Sequence, residues 1–141
     1  MSNKILVVDD DPAVRRMLCL LFEGTAEVLQ ASSGEEALRL VGAERPRLML
    51  VDMTMPGMSG LETLTAAHAA VPAMTIIMLT GKVDVELAKR ALELGAVEYV
   101  TKPFDLPRLK EKVRSCLDAV PEDHGAPWRV VPPEENLTEI K

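Results

Sequence analysis

The sequence predicts a doubly wound α/β domain: a five-stranded, all-parallel sheet in the order 2-1-3-4-5 with helices on both faces. Five short apolar runs alternate with segments whose apolar residues recur at helical spacing. Five strand–helix units in series are the signature of a parallel sheet wrapped by helices. In addition, Asp9-Asp10, Asp52, Thr80 and Lys102 stand at the C-terminal ends of four of the runs. Parallel strands would bring all of them to one rim.

The first run, Lys4-Ile5-Leu6-Val7-Val8, is short and β-branched, as a buried strand is. Val14, Met17, Leu18 and Leu21 then follow helical spacing, with Arg15, Arg16 and Glu23 elsewhere on the cylinder and Gly24 as the stop. Glu27 to Ala31 is a weaker strand, suited to an edge. Ser33 and Glu36 read as a capping box for a second helix that buries Ala37, Leu38 and Val41. Leu48 to Val51 is the third strand, ending on Asp52. A second capping box, Ser59 to Glu62, opens a third helix carrying Leu61 and Leu64, which Pro72 ends.

Met74 to Leu79 is the most apolar strand and suits burial on both faces. Asp84 caps a fourth helix with Leu87, Ala88, Ala91, Leu92 and Leu94 on its buried side, and Gly95 terminates it. Val97 to Thr101 is the fifth strand. Asp105 caps the last helix, whose buried stripe is Leu106, Leu109, Val113, Cys116 and Leu117. The flavodoxin-like order 2-1-3-4-5 places a ligand crevice at the switch point between strands one and three. Asp9-Asp10 and Asp52 end those two strands.

Composition narrows the classes. The 141 residues suffice for one domain with a real core. A net charge of −6, with no basic stripe, argues against nucleic-acid binding. No signal-peptide pattern or membrane-length apolar run is present, and the first strand begins at Lys4, so a cytoplasmic location is expected. Cys19 and Cys116 lack metal or redox spacing and read as buried, reduced thiols. His68 and His124 are isolated, and neither is given a catalytic role.

Three carboxylates in one crevice carry the chemistry. Two unit charges about 4 Å apart repel by roughly 4 kcal/mol at an effective dielectric near 20. Such a cluster takes up a proton or binds a cation. Hard oxygen ligands without a dense calcium-loop pattern suit Mg²⁺. Lys102 would add positive charge opposite the acids, and Thr80 a hydroxyl. A carboxylate between a metal and an ammonium is placed to attack phosphorus, with the other groups holding charge on the transferring oxygens.

From Lys4 to Leu117 the chain resembles the receiver domain of two-component response regulators. The matching motifs are Ile5-Leu6-Val7-Val8-Asp9-Asp10-Asp11, Asp52-Met53-Thr54-Met55-Pro56-Gly57-Met58-Ser59-Gly60, Leu79-Thr80-Gly81, and Gly95-Ala96 through Lys102-Pro103-Phe104. The resemblance implies that Asp52 accepts a phosphoryl group from the phosphohistidine of a sensor histidine kinase or phosphotransfer protein. It implies that Asp10 and Asp52 bind Mg²⁺ directly, that Asp9 helps through water, and that the Thr54 backbone carbonyl completes the protein ligands. Lys102, followed by a cis Pro103, would contact the phosphoryl group. Thr80 would move towards it and draw Tyr99 inward.

The readout face would be helix four, strand five and helix five, around Lys89, Arg90, Glu93, Tyr99, Arg108 and Lys112. The helix-one start, Pro12 to Met17, and the loop after Lys102 would dock the kinase. Gly81 should leave the site open to donors, while Thr54 and Lys82 occupy positions that tune phosphoryl lifetime. A phosphorylation-dependent homodimer is left open, and the downstream protein target is not named by the sequence.

The receiver domain is expected over residues 1–119, with 120–141 a proline-rich, acidic tail or a linker stub to a further output domain. Trp128-Arg129-Val130-Val131 in that tail is an alternative docking segment. Two other function classes fit parts of the pattern. An aspartate-nucleophile phosphatase on a similar fold wants a second acid two residues after the nucleophile, where Thr54 stands. A receiver-like scaffold that works without phosphorylation would be marked by loss of Asp52, of an acid-pair member or of Lys102, and all are present. On this reading the chain is a signalling domain, not an enzyme beyond its own phosphorylation and dephosphorylation.

Overall fold

The computed structural model describes residues 3–81 and 85–118. The elements run β1 (Lys4–Val8), α1 (Pro12–Leu21), β2 (Glu27–Ala31), α2 (Gly34–Glu44), β3 (Leu48–Asp52), α3 (Gly60–Ala70), β4 (Thr75–Thr80), α4 (Val85–Glu93), β5 (Glu98–Thr101) and α5 (Leu106–Asp118). The strands form one sheet, β2-β1-β3-β4-β5, and every neighbouring pair is parallel. The expected fold and strand order are therefore observed, with β2 at an edge. The expected Asp84 cap, Lys82, His124 and the tail from residue 120, Trp128 included, lie outside the described residues.

Strand alternation divides the core into two layers. Leu6, Val8, Met49, Val51, Ile76 and Met78 face one way and pack with Ala37, Val41, Leu64, Ala67 and Ala91 of α2, α3 and α4. Ile5, Val7, Leu48, Leu50, Ile77 and Leu79 face the other way. They meet Leu18 of α1, Phe22 just after it, and Leu109, Val113 and Leu117 of α5. β1, β3 and β4 are buried on both faces, which is why their sequences are nearly continuous apolar runs.

The helix starts follow from their caps. Asp11 Oδ1 accepts from the Ala13 amide at 2.9 Å, with Pro12 in the first turn of α1. At α3 the capping box is complete: Ser59 Oγ accepts from the Glu62 amide, and Glu62 Oε1 accepts from the Ser59 amide. At α5, Asp105 Oδ1 accepts from the Arg108 amide at 3.2 Å.

Four sequence expectations need correction. At α2 only half of the box forms. Ser33 Oγ accepts from the Glu36 amide, but the Glu36 carboxylate reaches past Ser33 to the amide and hydroxyl of Ser32. On α4, Leu87 and Leu92 are 38% and 44% exposed, because the helix seats on the sheet through the small residues Ala88 and Ala91. Cys19 and Cys116, expected to be buried thiols, are half-buried. Arg15, expected on the polar side of α1, is half-buried and turned towards β1.

Candidate functional site

The carboxyl rim of the sheet gathers the predicted groups because backbone bonds continue past the strand ends. The Asp9 amide donates to the Ala31 carbonyl at 3.1 Å, the Met53 amide to the Leu79 carbonyl at 2.7 Å, and the Lys102 amide to the Thr80 carbonyl at 2.7 Å. Asp9, Asp52 and Lys102 continue the alternation that points Val7, Leu50 and Val100 to the α1/α5 side. Thr80 follows Met78 on the opposite side.

Asp9 is fully buried and Asp52 is 5% exposed, whereas Asp10 is exposed. One carboxylate oxygen from each lies within 4.8 Å of the others, so the three could hold a metal ion. Lys102 Nζ donates to Asp9 Oδ2 at 3.0 Å and to Asp52 Oδ1 at 3.5 Å. The Thr54 amide makes a long 3.4 Å bond to Asp52 Oδ1, and the Asp11 amide donates to Asp9 Oδ1 at 2.9 Å. The Lys102–Pro103 peptide is cis. Gly81, exposed beside Thr80, has no described atom within 4 Å of where a Cβ would stand.

Two opposed influences set the Asp52 proton. Burial pushes its pKa above the ordinary carboxylate value, and the charge of Asp9 adds to this. The Lys102 ammonium and the Thr54 amide pull the other way without cancelling it. Lys102 feels the converse. Burial would lower its pKa, but its bond to Asp9 and the charges of Asp52 and Asp9 outweigh burial and raise it. Among the described residues the crevice is thus a cluster of carboxylates braced by the Lys102 ammonium, and its candidate metal ligands are carboxylate oxygens. That donor chemistry fits Mg²⁺.

The structure does not bring Tyr99 to the acids. It pairs with Met78 on β5, two residues before the Thr80 level where Thr101 lies, and packs half-buried on the α4 side. With Arg108 and Lys112 it lines a recess of about 280 Å³.

Sequence reasoning missed three contributors. Arg15 Nη1 donates to the Asp9 carbonyl at 2.7 Å, and its Nε donates to Gln30 Oε1 at 3.1 Å. Gly60 begins α3 against the end of β3. A Cβ there would stand 2.6 Å from Met53 Cα and collide with the Asp52 carbonyl oxygen. The glycine after Ser59 was visible as a motif residue, whereas the Arg15–Gln30 pairing left no local signal.

A doubly wound parallel sheet with a lysine-braced acidic crevice at its switch point defines a class of α/β domains whose site lies at the carboxyl ends of the strands. Residues 5–114 match the model of the response regulator receiver domain. The chain belongs to that family, the receivers of two-component signalling systems. It is 35% identical over 118 residues to sporulation initiation phosphotransferase F of Bacillus subtilis (strain 168), a match covering 83% of this chain and 95% of that protein. It is 39% identical over 120 residues to the DNA-binding response regulator MtrA of Mycolicibacterium smegmatis, covering 83% of this chain and 51% of MtrA. The solved CheY-like receiver domain protein from Methanospirillum hungatei JF-1 superposes with a TM-score of 0.81 at 35% identity, covering 87% of this chain and 98% of that one. The chain therefore spans nearly all of one relative and about half of another. Among the described residues no helix is long and apolar enough to cross a membrane.

Proposed function

We propose that Asp52 accepts a phosphoryl group from the phosphohistidine of a sensor histidine kinase or phosphotransfer protein, and that the phosphorylated domain signals through a changed protein-binding face. The observation that carries this reading is the convergence of Asp9, Asp10 and Asp52 within 4.8 Å, with Lys102 bound to two of them. Asp9, Asp10 and Asp52, with the Thr54 backbone carbonyl, are the residues that would hold Mg²⁺. When bound, the ion supplies positive charge for the phosphoryl oxygens.

An ionised Asp52 oxygen attacks phosphorus as the P–N bond to the imidazole breaks. The electron pair of that bond returns to the nitrogen, which takes a proton from solvent. Lys102 neutralises charge on the transferring oxygens, and open space at Gly81 admits the donor. The new group carries roughly 1.5 to 2 negative charges. It recruits the Thr80 hydroxyl, and Tyr99 moves into the room left behind. Residues 1–119 form this unit in a cytoplasmic signalling protein, and 120–141 are its tail or linker.

Incubation with Mg²⁺ and an acyl phosphate, followed by intact-mass measurement, tests the proposal. One phosphoryl group should add to the native chain and none to Asp52→Asn. No gain, or a gain that survives Asp52→Asn, overturns it. Catalytic turnover of the acyl phosphate without a phosphorylated chain would instead mark a phosphatase-like enzyme.

A further inference from the structure

We propose that Arg15, braced by Gln30, is a positioning residue that fixes the peptide plane between Asp9 and Asp10 and so aims Asp10 at the cation site. The inference rests on the reading of Asp9, Asp10 and Asp52 as that site.

Every polar atom of Asp9 is held. Its amide donates to Ala31, Oδ1 accepts from the Asp11 amide and Oδ2 accepts from Lys102. Its carbonyl accepts from Arg15 Nη1 at 2.7 Å. That carbonyl belongs to the rigid peptide unit whose other end is the Asp10 nitrogen. A donor that fixes the carbonyl therefore fixes where the Asp10 side chain departs from the backbone. Asp10 is exposed, so packing constrains its direction little and the backbone sets it.

Arg15 is itself immobilised from the far side. Its Nε donates to Gln30 Oε1 on the edge strand β2, at 3.1 Å. Two bonds through one planar guanidinium orient it in a way a single ammonium cannot reproduce. The pair thus ties β2, α1 and the end of β1 into one brace behind the acids, reaching Asp9 through its backbone carbonyl.

Charge and position make opposite predictions for the loss of Arg15. A cation near a cation site repels metal, so removal of charge alone would tighten Mg²⁺ binding. Loss of aim weakens it. Residues that orient metal ligands from behind are typically worth about 10- to 100-fold in affinity.

Calorimetric titration of Mg²⁺ into the full chain reads the difference, with unfolding midpoints in chelator measured alongside. We expect Arg15→Ala to weaken Mg²⁺ about tenfold and Arg15→Lys to recover part of the loss. Gln30→Ala removes no charge and lies on an exposed edge residue. It should weaken Mg²⁺ by about two- to threefold, and not further once Arg15 is already Ala, as coupling through one brace requires. If Arg15→Ala does not fold, Gln30→Ala and Arg15→Lys still decide. Unchanged or tighter binding in the folded variants overturns the positioning role alone. A native chain that takes up no Mg²⁺ overturns the proposed cation site and this inference with it.

Discussion

Asp52 is nearly enclosed, has Asp9 for a neighbour and Lys102 as its cation, and its proton is held more tightly than in an ordinary carboxyl group. Burial is the larger cause and Asp9 the second. The consequence for stability has a definite sign. A carboxyl whose pKa is higher folded than unfolded binds more protons in the native state between the two values, so stability falls as pH rises through that window. The penalty is absent below the unfolded value and complete above the folded one. Asp52→Asn should therefore be more stable than the native chain at neutral pH in chelator, by about 1 kcal/mol or roughly 4 °C in midpoint. The advantage should shrink as pH falls into the carboxylate range. Thermal unfolding followed by circular dichroism across pH checks this, and a lower Asp52→Asn midpoint at neutral pH contradicts it. The raised Lys102 pKa gives the same slope in a different window, since its stabilisation is present below the unfolded lysine value and is lost as pH rises through the folded one, in alkali.

At the level of elements, the start of α3 is fixed twice: its cap satisfies its own first turn, and its first residue abuts the site. The Ser59–Glu62 box satisfies amides of the helix start and touches none of the acids. Gly60 abuts the Asp52 carbonyl and Met53 Cα, so a methyl group there must displace the backbone that carries Asp52. Ser59→Ala should lose about 1 kcal/mol and still accept a phosphoryl group at the native rate. Gly60→Ala should lose about 2 kcal/mol or more and accept it several-fold more slowly. Denaturant unfolding and the time course of mass gain separate the two, and equal acceptance rates would show that the Gly60 contact does not set the position of Asp52. These local devices were readable because a cap is written within four residues. The strands were readable because burial on both faces leaves a continuous apolar run. α4 was misread: its leucines match a helical stripe, but Ala88 and Ala91 bring the axis close to the sheet and leave Leu87 and Leu92 partly outside. Arg15 was misread for another reason. Its partners are a carbonyl at the end of β1 and Gln30 on β2, brought together only by sheet order. Pairings between side chains on different elements have no period to betray them.

Across the whole molecule, the crevice and the recess at Tyr99 are joined by β4 and β5. The Lys102 amide is bonded to the Thr80 carbonyl, and Thr80 pairs in register with Thr101. A group bound beside Asp52 that pulls on Thr80 or Lys102 therefore loads the β4–β5 edge. β1 and β3, clamped between two apolar layers, resist displacement because close-packed interiors deform little. α4 is held chiefly by small side chains and leaves Val85, Leu87 and Leu92 exposed, so less buried apolar area opposes its movement. Binding a beryllium fluoride phosphoryl mimic with Mg²⁺ should consequently shift amide resonances from Lys89 to Lys112. Amides of Leu6, Leu29 and Leu50, away from the rim, should stay within a small fraction of those shifts. Hydrogen exchange of the α4 amides should change several-fold in the same experiment, because local opening there has little buried apolar packing to overcome. Signals from Lys89 to Lys112 that remain unmoved at saturating mimic would remove helix four, strand five and helix five as the readout face, while leaving phosphoryl acceptance at Asp52 to stand on its own test.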